Sequence, residues 1–284
     1  MRLVDSHGHV QADPFAHDRG DVLAAAVAAG VERLLVPGWD LPSSRDAVEL
    51  AVAASDDGAV LPIDAGVGIH PHVAALVDGD TWDAVRALAA HPAVLAIGET
   101  GLDYDREFSP REAQLGNLRR HLALGRELGK PVILHCRSTS ASREAQDDLI
   151  AELRKAGAGD AAWVARLGGR PPAILHSFSG PVDYAEAALE LGLAVSFSGL
   201  VFRRGEEPSA DVARLVPVTR LLVETDSPYL SPPGAPRRRN EPAWVGVTAR
   251  WVAEQRGDDP DTLGAALVAA YDATLRGITG EVRT

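Results

Sequence analysis

Cysteine and long apolar runs are nearly absent from this chain of 284 residues. The single cysteine, Cys136, excludes an internal disulfide and a structural zinc site built from cysteines. No apolar run approaches the roughly 18 residues that a membrane span needs. The first residues, from Met1 to Asp5, also lack the apolar region of a signal peptide. We therefore expect a protein of the reducing cytoplasm with no membrane partner.

Positive charge is also scarce, with 28 lysines and arginines against 40 acidic residues and a formal net charge of -12. Passive nucleic-acid binding normally relies on a basic surface, so this balance weighs against it. It does not exclude an enzyme whose phosphate affinity comes from metal ions and a few local arginines. Basic residues cluster at Arg203-Arg204 and, more densely, at Arg237-Arg238-Arg239, where a solvated loop is the simpler interpretation.

What the chain does contain is a repeated alternation of short apolar runs and helical patterns. Eight apolar runs predict strands at Leu3–Val4, Arg33–Val36, Leu61–Val67, Val94–Ile97, Val132–Leu134, Ala173–Leu175, Ala194–Phe197 and Leu221–Val223. Strands that are covered by helices read as continuous apolar runs, and their connections suit right-handed βαβ units. The sequence therefore predicts an α/β fold, a single (β/α)8 TIM barrel over residues 1–284. An open doubly wound sheet is the alternative, but no Gly-x-Gly-x-x-Gly turn follows the first strand.

Helical spacing is clear over residues 21–29 and 114–128. Glycines directly after helical stretches are predicted to end them, namely Gly30, Gly129 and Gly192. The segment 157–172 is longer than a minimal connection and rich in glycine and alanine. We expect it to form a surface excursion with a short helix around Trp163.

Polar residues directly follow most of the predicted strands, which is where the active sites of such barrels form. Asp5, His7 and His9 alternate at the end of the first strand and are expected to point the same way. Taken together, four imidazoles and two carboxylates lie at strand ends and could hold two divalent ions.

The two carboxylates have separate expected roles. Glu99 would bridge the ions, because negative charge between two cations reduces their repulsion. Asp226 would bind one ion and orient a metal-bound hydroxide or accept its proton. Helix capping is the alternative for both, although glutamate is a poor cap. Because six ligands already suffice, Asp5 is expected to contact and orient the ligands rather than to bind an ion itself.

Seven motifs occur in order and cover nearly the whole chain. They are Asp5-x-His7-x-His9, Gly68-Ile69-His70-Pro71-His72, Gly98-Glu99-Thr100-Gly101-Leu102-Asp103-Tyr104, His135-x-Arg137, His176-x-Phe178-Ser179-Gly180, Glu224-Thr225-Asp226-x-Pro228-Tyr229-Leu230 and Arg239-Asn240-Glu241-Pro242. With these motifs the chain resembles the TatD family of metal-dependent deoxyribonucleases, in the amidohydrolase-like barrel superfamily. The resemblance implies a (β/α)8 barrel, divalent metal ions and hydrolysis of DNA phosphodiesters, typically as a 3′→5′ exonuclease. It also implies that His7, His9 and Asp226 bind one ion, that His135 and His176 bind the other, and that Glu99 bridges them.

Two positions depart from the pattern of that family. After His135 the family often continues with Ser-Arg-Asp-Ala, whereas this chain reads Cys-Arg-Ser-Thr, which leaves any role of the missing aspartate in doubt. Near the end, Asp272 stands where the family commonly has asparagine. That position is far from the strand ends, so we expect it to concern packing.

Residues beside the ligands are expected to contact the substrate. Arg137 and Arg239 can each donate two parallel hydrogen bonds to a phosphate. For Arg239 the alternative is a salt bridge with Glu241 or another loop carboxylate. His70 and His72 are candidates for phosphate contact or for support of the ligands, and a structural role is the alternative for His70.

Two aromatic residues, Tyr104 and Phe202, are candidates for stacking on bases, with packing as the alternative for Phe202. The expected substrate is DNA, single-stranded or at 3′ ends, and the expected attack is in line by metal-bound hydroxide. A related metallohydrolase acting on an amide, lactone or aminoacyl ester is the alternative, because the ligands cannot separate these chemistries. A barrel with a silenced site is a further alternative, but none of the six ligands is missing. The ligand types leave Mg²⁺, Mn²⁺ and Zn²⁺ open.

Overall fold

The structure is a computed structural model that describes residues 1–55, 59–236 and 238–277, so Arg237 of the basic cluster lies outside the described residues. Strands and helices alternate along the described chain. The strands are β1 (Leu3–Asp5), β2 (Val31–Pro37), β3 (Ile63–Val67), β4 (Val94–Asp103), β5 (Val132–Arg137), β6 (Ala173–Leu175), β7 (Ala194–Phe197) and β8 (Leu221–Val223). The helices are α1 (Arg19–Ala28), α2 (Leu41–Ala53), α3 (Gly79–Ala89), α4 (Arg111–Leu128), α5 (Glu144–Ala156), α6 (Ala161–Arg166), α7 (Val182–Glu190), α8 (Ser209–Leu215), α9 (Val245–Arg256) and α10 (Pro260–Leu275).

The eight strands form one parallel sheet in chain order. The sheet returns on itself where the Ser6 amide donates to Val223 O at 3.0 Å and Gly8 bridges to Ser227. Because parallel neighbours need long crossovers, helices cover the outer face of the sheet. The predicted (β/α)8 TIM barrel is confirmed.

Inside the barrel, most strands contribute one apolar side chain to a small inner core. Its strand residues are Val4, Leu35, Ala96, Ile133, Ile174, Ala194 and Leu222. Val268, Tyr271 and Leu275 of α10 pack against this core. β3 contributes the buried Asp64, which accepts a hydrogen bond from the Tyr271 hydroxyl at 2.9 Å. The barrel interior is therefore filled, and a site can form only where the strands end.

β4 is longer than the apolar pattern predicts. The pattern ends at Ile97, whereas the strand continues through Asp103 and pairs with β5 as far as Arg137. Glu99 and Thr100 interrupt the apolar run while remaining buried. Hydrophobicity alone therefore could not reveal the second half of this strand, which carries a central residue of the candidate site.

Expectations about two helical segments are confirmed. Residues 114–128 are helical within α4, which ends where Gly129 takes a left-handed φ of 64°. The segment 157–172 carries the short helix α6, in which Trp163 is fully buried. In the described residues, no helix has both the length and the apolar character that crossing a membrane requires.

Candidate metal centre

The predicted ligands meet at the carboxyl ends of the strands, with Glu99 between them. One Glu99 oxygen, Oε1, lies 2.9 Å from His176 Nε2 and 3.2 Å from His135 Nδ1. The other oxygen, Oε2, lies 3.4 Å from His7 Nε2 and 3.7 Å from His9 Nε2. Glu99 therefore faces a different pair of imidazoles with each of its oxygens.

Asp226 lies beside the second of these pairs. Its Oδ1 is 3.8 Å from His7 Nε2 and 3.5 Å from His9 Nε2, and these two nitrogens are 3.1 Å apart. Asp226 has a left-handed φ of 54°, and its amide donates to His7 O at 2.8 Å. This hydrogen bond ties the turn after β8 to the segment after β1, so ligands from distant parts of the chain are held together.

Three ligand imidazoles are oriented by a partner at the ring nitrogen that faces away from the centre. The pairs are His9 Nδ1 with Pro37 O at 3.1 Å, His176 Nδ1 with Glu224 Oε1 at 3.1 Å, and His135 Nε2 with Asp103 Oδ2 at 3.3 Å. A carbonyl or a carboxylate can only accept, so each of these nitrogens carries the hydrogen. In the neutral ring, the nitrogen that faces the centre then keeps a lone pair for a cation.

The charges of the centre stabilise one another. Burial alone would raise the pKa of Glu99, but the imidazoles of His176, His70 and His7 outweigh it and hold that pKa well below its usual value. Burial disfavours a charged His176 ring, but Glu99 and Glu224 raise the pKa of His176 well above its usual value. The carboxylates are thus ionised and attract positive charge, as cation ligands must.

Asp5 does not face the ligand imidazoles. It is fully buried, and burial raises its pKa to about 7. Its carboxylate accepts from the Thr225 amide at 2.9 Å, from the Thr225 hydroxyl at 2.6 Å and from the His7 amide at 3.2 Å. β1 ends at Asp5, so His7 and His9 lie in the segment that follows the strand rather than on it. Asp5 therefore fixes the backbone at His7 and at Thr225, next to Asp226, which agrees with a supporting role.

His70 and His72 lie on the His135 side of the centre. His70 Nε2 is 3.3 Å from Glu99 Oε1, while its Nδ1 accepts the His72 amide at 3.1 Å. Because Nδ1 is already an acceptor, Nε2 carries the hydrogen, and His70 has no free lone pair for a cation. His72 Nε2 lies 2.6 Å from Asp103 Oδ2. Both rings thus support carboxylates of the site, and both stay candidates for phosphate contact.

A family model matches nearly the whole barrel. It is described as TatD related DNase and covers residues 4–276. The chain belongs to this family. The resemblance that the seven motifs carry is thereby confirmed.

Relatives and solved structures agree with this assignment. A protein of Klebsiella pneumoniae (strain 342), named 3'-5' ssDNA/RNA exonuclease TatD, is 35% identical over 289 residues, covering 98% of each chain. A protein of the same name from Erwinia billingiae (strain Eb661) is 37% identical over 268 residues, covering 92% of this chain and 94% of the relative. The crystal structure of YJJV, a TatD homolog from Escherichia coli K12, matches with a TM-score of 0.81 at 27% identity, covering 96% of this chain and 97% of its own.

The arginines that the TatD resemblance singled out are paired with carboxylates. Arg137 Nε lies 3.0 Å from Asp105 Oδ2, and half of the Arg137 side chain is exposed. Arg239 Nη2 donates to the two Asp18 oxygens at 2.6 and 2.8 Å, and Arg239 Nε lies 3.5 Å from Glu241. Arg239 therefore forms salt bridges with loop carboxylates, which was the alternative to a phosphate contact. Arg137, two residues after a ligand and bound by one carboxylate, remains the better candidate for a phosphate.

The two aromatic residues expected to stack on bases are turned away from the centre. Tyr104 is only 3% exposed, its hydroxyl donates to Asp148 at 2.8 Å, and the Arg111 guanidinium lies 4.2 Å from its ring centroid. Phe202 packs against Trp251 with ring centroids 6.3 Å apart, which agrees with the alternative that Phe202 has a packing role. The expectation for Tyr104 is corrected, because helices α4 and α5 cover the ring and leave no free face for a base.

Two carboxylates of the site, Asp103 and Glu224, occur in the sequence motifs without an expected role. Asp103 and Glu224 are buried and bind the outward nitrogens of His135 and His176. Glu224 directly follows the apolar run Leu221–Val223, and that position is the signal that could have found it. Asp103 ends β4, six residues beyond the end of the apolar run at Ile97, so no apolar pattern marks it.

Proposed function

We propose that this protein is a divalent-metal-dependent exonuclease that releases nucleotides from the 3′ ends of single-stranded DNA and RNA. The observation that carries the proposal is the position of Glu99, whose two oxygens face two separate imidazole pairs. The names of the relatives support the nuclease activity and add RNA to the DNA expected from the motifs.

The donor set fits two divalent ions. His7, His9 and Asp226 would hold one, His135 and His176 the other, and Glu99 would bind both. The ligand atoms fall in groups that lie within 4.8 Å of one another, among them His7 with His9 and Glu99, and Glu99 with His135 and His176. Bound ions would act as Lewis acids that polarise the phosphate and make water more acidic. Imidazole and carboxylate ligands together suit Mg²⁺, Mn²⁺ or Zn²⁺.

The residues of this chain supply orientation, charge and a proton acceptor. Asp226 would orient an attacking water and accept its proton. The Arg137 guanidinium can bind phosphate oxygens, and so can His70 Nε2 if its hydrogen leaves Glu99 Oε1, which lies 3.3 Å away. Such contacts stabilise the negative charge that builds up during in-line attack. Arg137 must exchange Asp105 for the phosphate, and its half-exposed side chain permits this.

Nucleotide release from a 5′-labelled single-stranded oligonucleotide tests the proposal. We expect release with Mg²⁺ or Mn²⁺, none with EDTA, and a loss of about a hundredfold or more in Asp226→Asn, which keeps a residue type that tolerates the left-handed φ. Asp46→Asn, an exposed carboxylate on α2, is the matched control and should retain full activity. No release with any of the metals would overturn the proposal. Hydrolysis of lactones or aminoacyl esters instead of DNA and RNA would favour the acyl alternative.

We also propose that residues 1–284 form a single domain in the cytoplasm. The barrel already spans the chain from β1 to α10, and Cys136 is a free cysteine, as a reducing compartment allows. Fractionation of cells that express the tagged chain tests the location.

A further inference from the structure

Exposed aromatic side chains are confined to the metal centre. The chain has five tryptophans, four tyrosines and five phenylalanines, all within the described residues, and only Phe108 and Tyr229 among them are largely exposed. Phe108 is 66% exposed and Tyr229 is 59% exposed. Rings left in water contribute little to the stability of the fold, so packing does not explain these two residues.

The two rings stand at different sides of the centre. The Tyr229 ring centroid is 6.2 Å from that of His9, which belongs to the group of ligands with Asp226. The Phe108 centroid is 4.8 Å from that of His72, and His72 is 6.1 Å from the ligand His135. Each exposed ring therefore adjoins a different half of the ligand set.

Both rings are carried by anchored loops. Phe108 precedes the buried Ser109, whose hydroxyl donates to His72 O at 2.9 Å and accepts from the Ala75 amide at 3.1 Å. The Tyr229 amide donates to Asp226 O at 2.8 Å. The loops are thus tied to the residues that surround the centre, which fixes the backbone that carries each ring before any substrate binds.

We propose that Phe108 and Tyr229 are the base-stacking residues of this site, each holding one unpaired nucleobase on either side of the phosphodiester that is hydrolysed. The inference rests on the proposed nuclease function. A base presents its face to a protein ring only when it is unpaired and unstacked, so two such contacts favour single strands. Because the faces of the bases are the same with either sugar, the contacts serve DNA and RNA alike.

Alanine variants test the role of each ring. With Mn²⁺ and a 5′-labelled oligothymidylate, Phe108→Ala and Tyr229→Ala are each expected to raise KM by about five- to a hundredfold, the affinity carried by one base–aromatic stack. The value of kcat should change far less, because stacking binds ground state and transition state alike. Val27→Ala, an exposed apolar residue of α1, is the matched control and should leave KM unchanged. Thermal unfolding followed by circular dichroism checks that the variants fold.

A base-free substrate and conservative variants separate stacking from other roles. An oligonucleotide with abasic sites at its last two positions keeps sugar and phosphate but offers no ring. On it the KM penalty of the alanine variants should shrink to less than about twofold. Phe108→Tyr and Tyr229→Phe keep the ring and should restore KM on the intact substrate, whereas Phe108→Leu should not.

Equal KM values for the wild-type protein and both alanine variants would overturn the inference. So would a penalty that persists in full on the abasic substrate, because the rings would then act on something other than bases. Fluorescence anisotropy of the labelled oligothymidylate with Ca²⁺ in place of Mn²⁺ measures binding without hydrolysis. If binding of the oligonucleotide depends on the rings but no nucleotide is released, the proposed function alone is overturned. If nucleotides are released with the same KM in the wild type and both alanine variants, this inference alone is overturned. If there is neither ring-dependent binding nor nucleotide release, both are overturned.

Discussion

An imidazole binds a cation through one ring nitrogen, so the partner of its other nitrogen decides how the ligand is presented. In this centre a carbonyl orients His9, and carboxylates orient His135 and His176. Hydrogen bonds of this kind fix the ring and its tautomer before a cation arrives. The residues behind the predicted ligands therefore belong to the candidate metal centre as much as those ligands do.

Replacing Glu224 tests this view. Glu224 is fully buried, and its Oε1 also accepts from the Ser177 amide at 2.8 Å. Glu224→Gln keeps the shape but removes the charge, so we expect Mn²⁺ affinity to fall by about 10- to 100-fold. Isothermal titration of EDTA-stripped protein measures the change. Glu254→Gln, on the exposed face of α9, is the control, and an unchanged affinity in Glu224→Gln would contradict the prediction.

The ligand types could be predicted from the sequence, but the surroundings of other site residues could not. Each ligand follows an apolar run, and the fold brings the ends of such runs together. Arg239 shows the limit, because its partner Asp18 lies 221 residues away in the chain and no local pattern links them. Tyr104 shows the same limit, since its hydroxyl donates to Asp148 of α5, which lies 44 residues further along the chain.

At the scale of elements, α4 supports the site through buried polar side chains on one of its faces. Asn117 Nδ2 donates to Ile69 O at 2.7 Å, and His121 Nε2 accepts from the Ile69 amide at 3.0 Å. Gln114 Oε1 accepts from the Asp103 amide at 2.7 Å. The spacing of these polar residues follows the helical period, so one face of α4 fixes both the loop before His70 and the end of β4. The apolar pattern predicted this helix, but it did not predict that polar side chains of the helix hydrogen-bond to the backbone of the site.

A nearly buried carboxylate links α5 to α4. Glu152 of α5 accepts from Arg119 of α4 at 2.8 and 3.1 Å and from Lys155 at 2.7 Å. These hydrogen bonds, with Arg119 the largest influence, lower the pKa of Glu152 from 4.5 to about 2. We expect Glu152→Gln to reduce the free energy of unfolding at pH 7 by about 1 kcal/mol.

The pH dependence of that loss gives a second check. A carboxylate with a lowered pKa stabilises the folded state above its unfolded value of 4.5, and this stabilisation disappears as the pH falls towards 2. Urea unfolding at pH 7 and pH 3 should therefore show a smaller difference between the variant and the wild type at pH 3. Glu112→Gln is the matched control, because Glu112 also lies near Arg119, at 3.8 Å, but is exposed. A difference that grows on acidification would contradict the prediction.

At the scale of the molecule, the barrel brings both ends of the chain into one structure. The ligands after β1 meet the turn after β8, while α10 packs against the inner core. Eight apolar runs with helical connections predict such a barrel, and the absence of a Gly-x-Gly-x-x-Gly turn after the first strand weighs against the open doubly wound sheet. The packing of α10 against the inner core could not be predicted in this way, since its apolar residues resemble those of any helix on the outside of the barrel.

Cation binding should stabilise the whole barrel, because the ligands come from strands around it and are assembled only in the folded state. A ligand present at about 100 times its Kd contributes about 2.7 kcal/mol, which corresponds to a rise in Tm of about 5 °C for a chain of this size. Differential scanning calorimetry with and without Mn²⁺ measures the rise. Glu99→Gln should lose most of it, because Glu99 lies between both imidazole pairs.

The rise in Tm should shrink as the pH is lowered from 8 to 6. Burial opposes protonation of the rings, but Glu99 and Glu224 raise the pKa of His176, and Asp226 and Glu99 raise that of His9. Below these raised values a proton must leave each ring before a cation can bind, so protons and Mn²⁺ compete for the same nitrogens. A Tm increment that is equal at both pH values, or larger at pH 6, would show that the cation binds elsewhere than at these imidazoles.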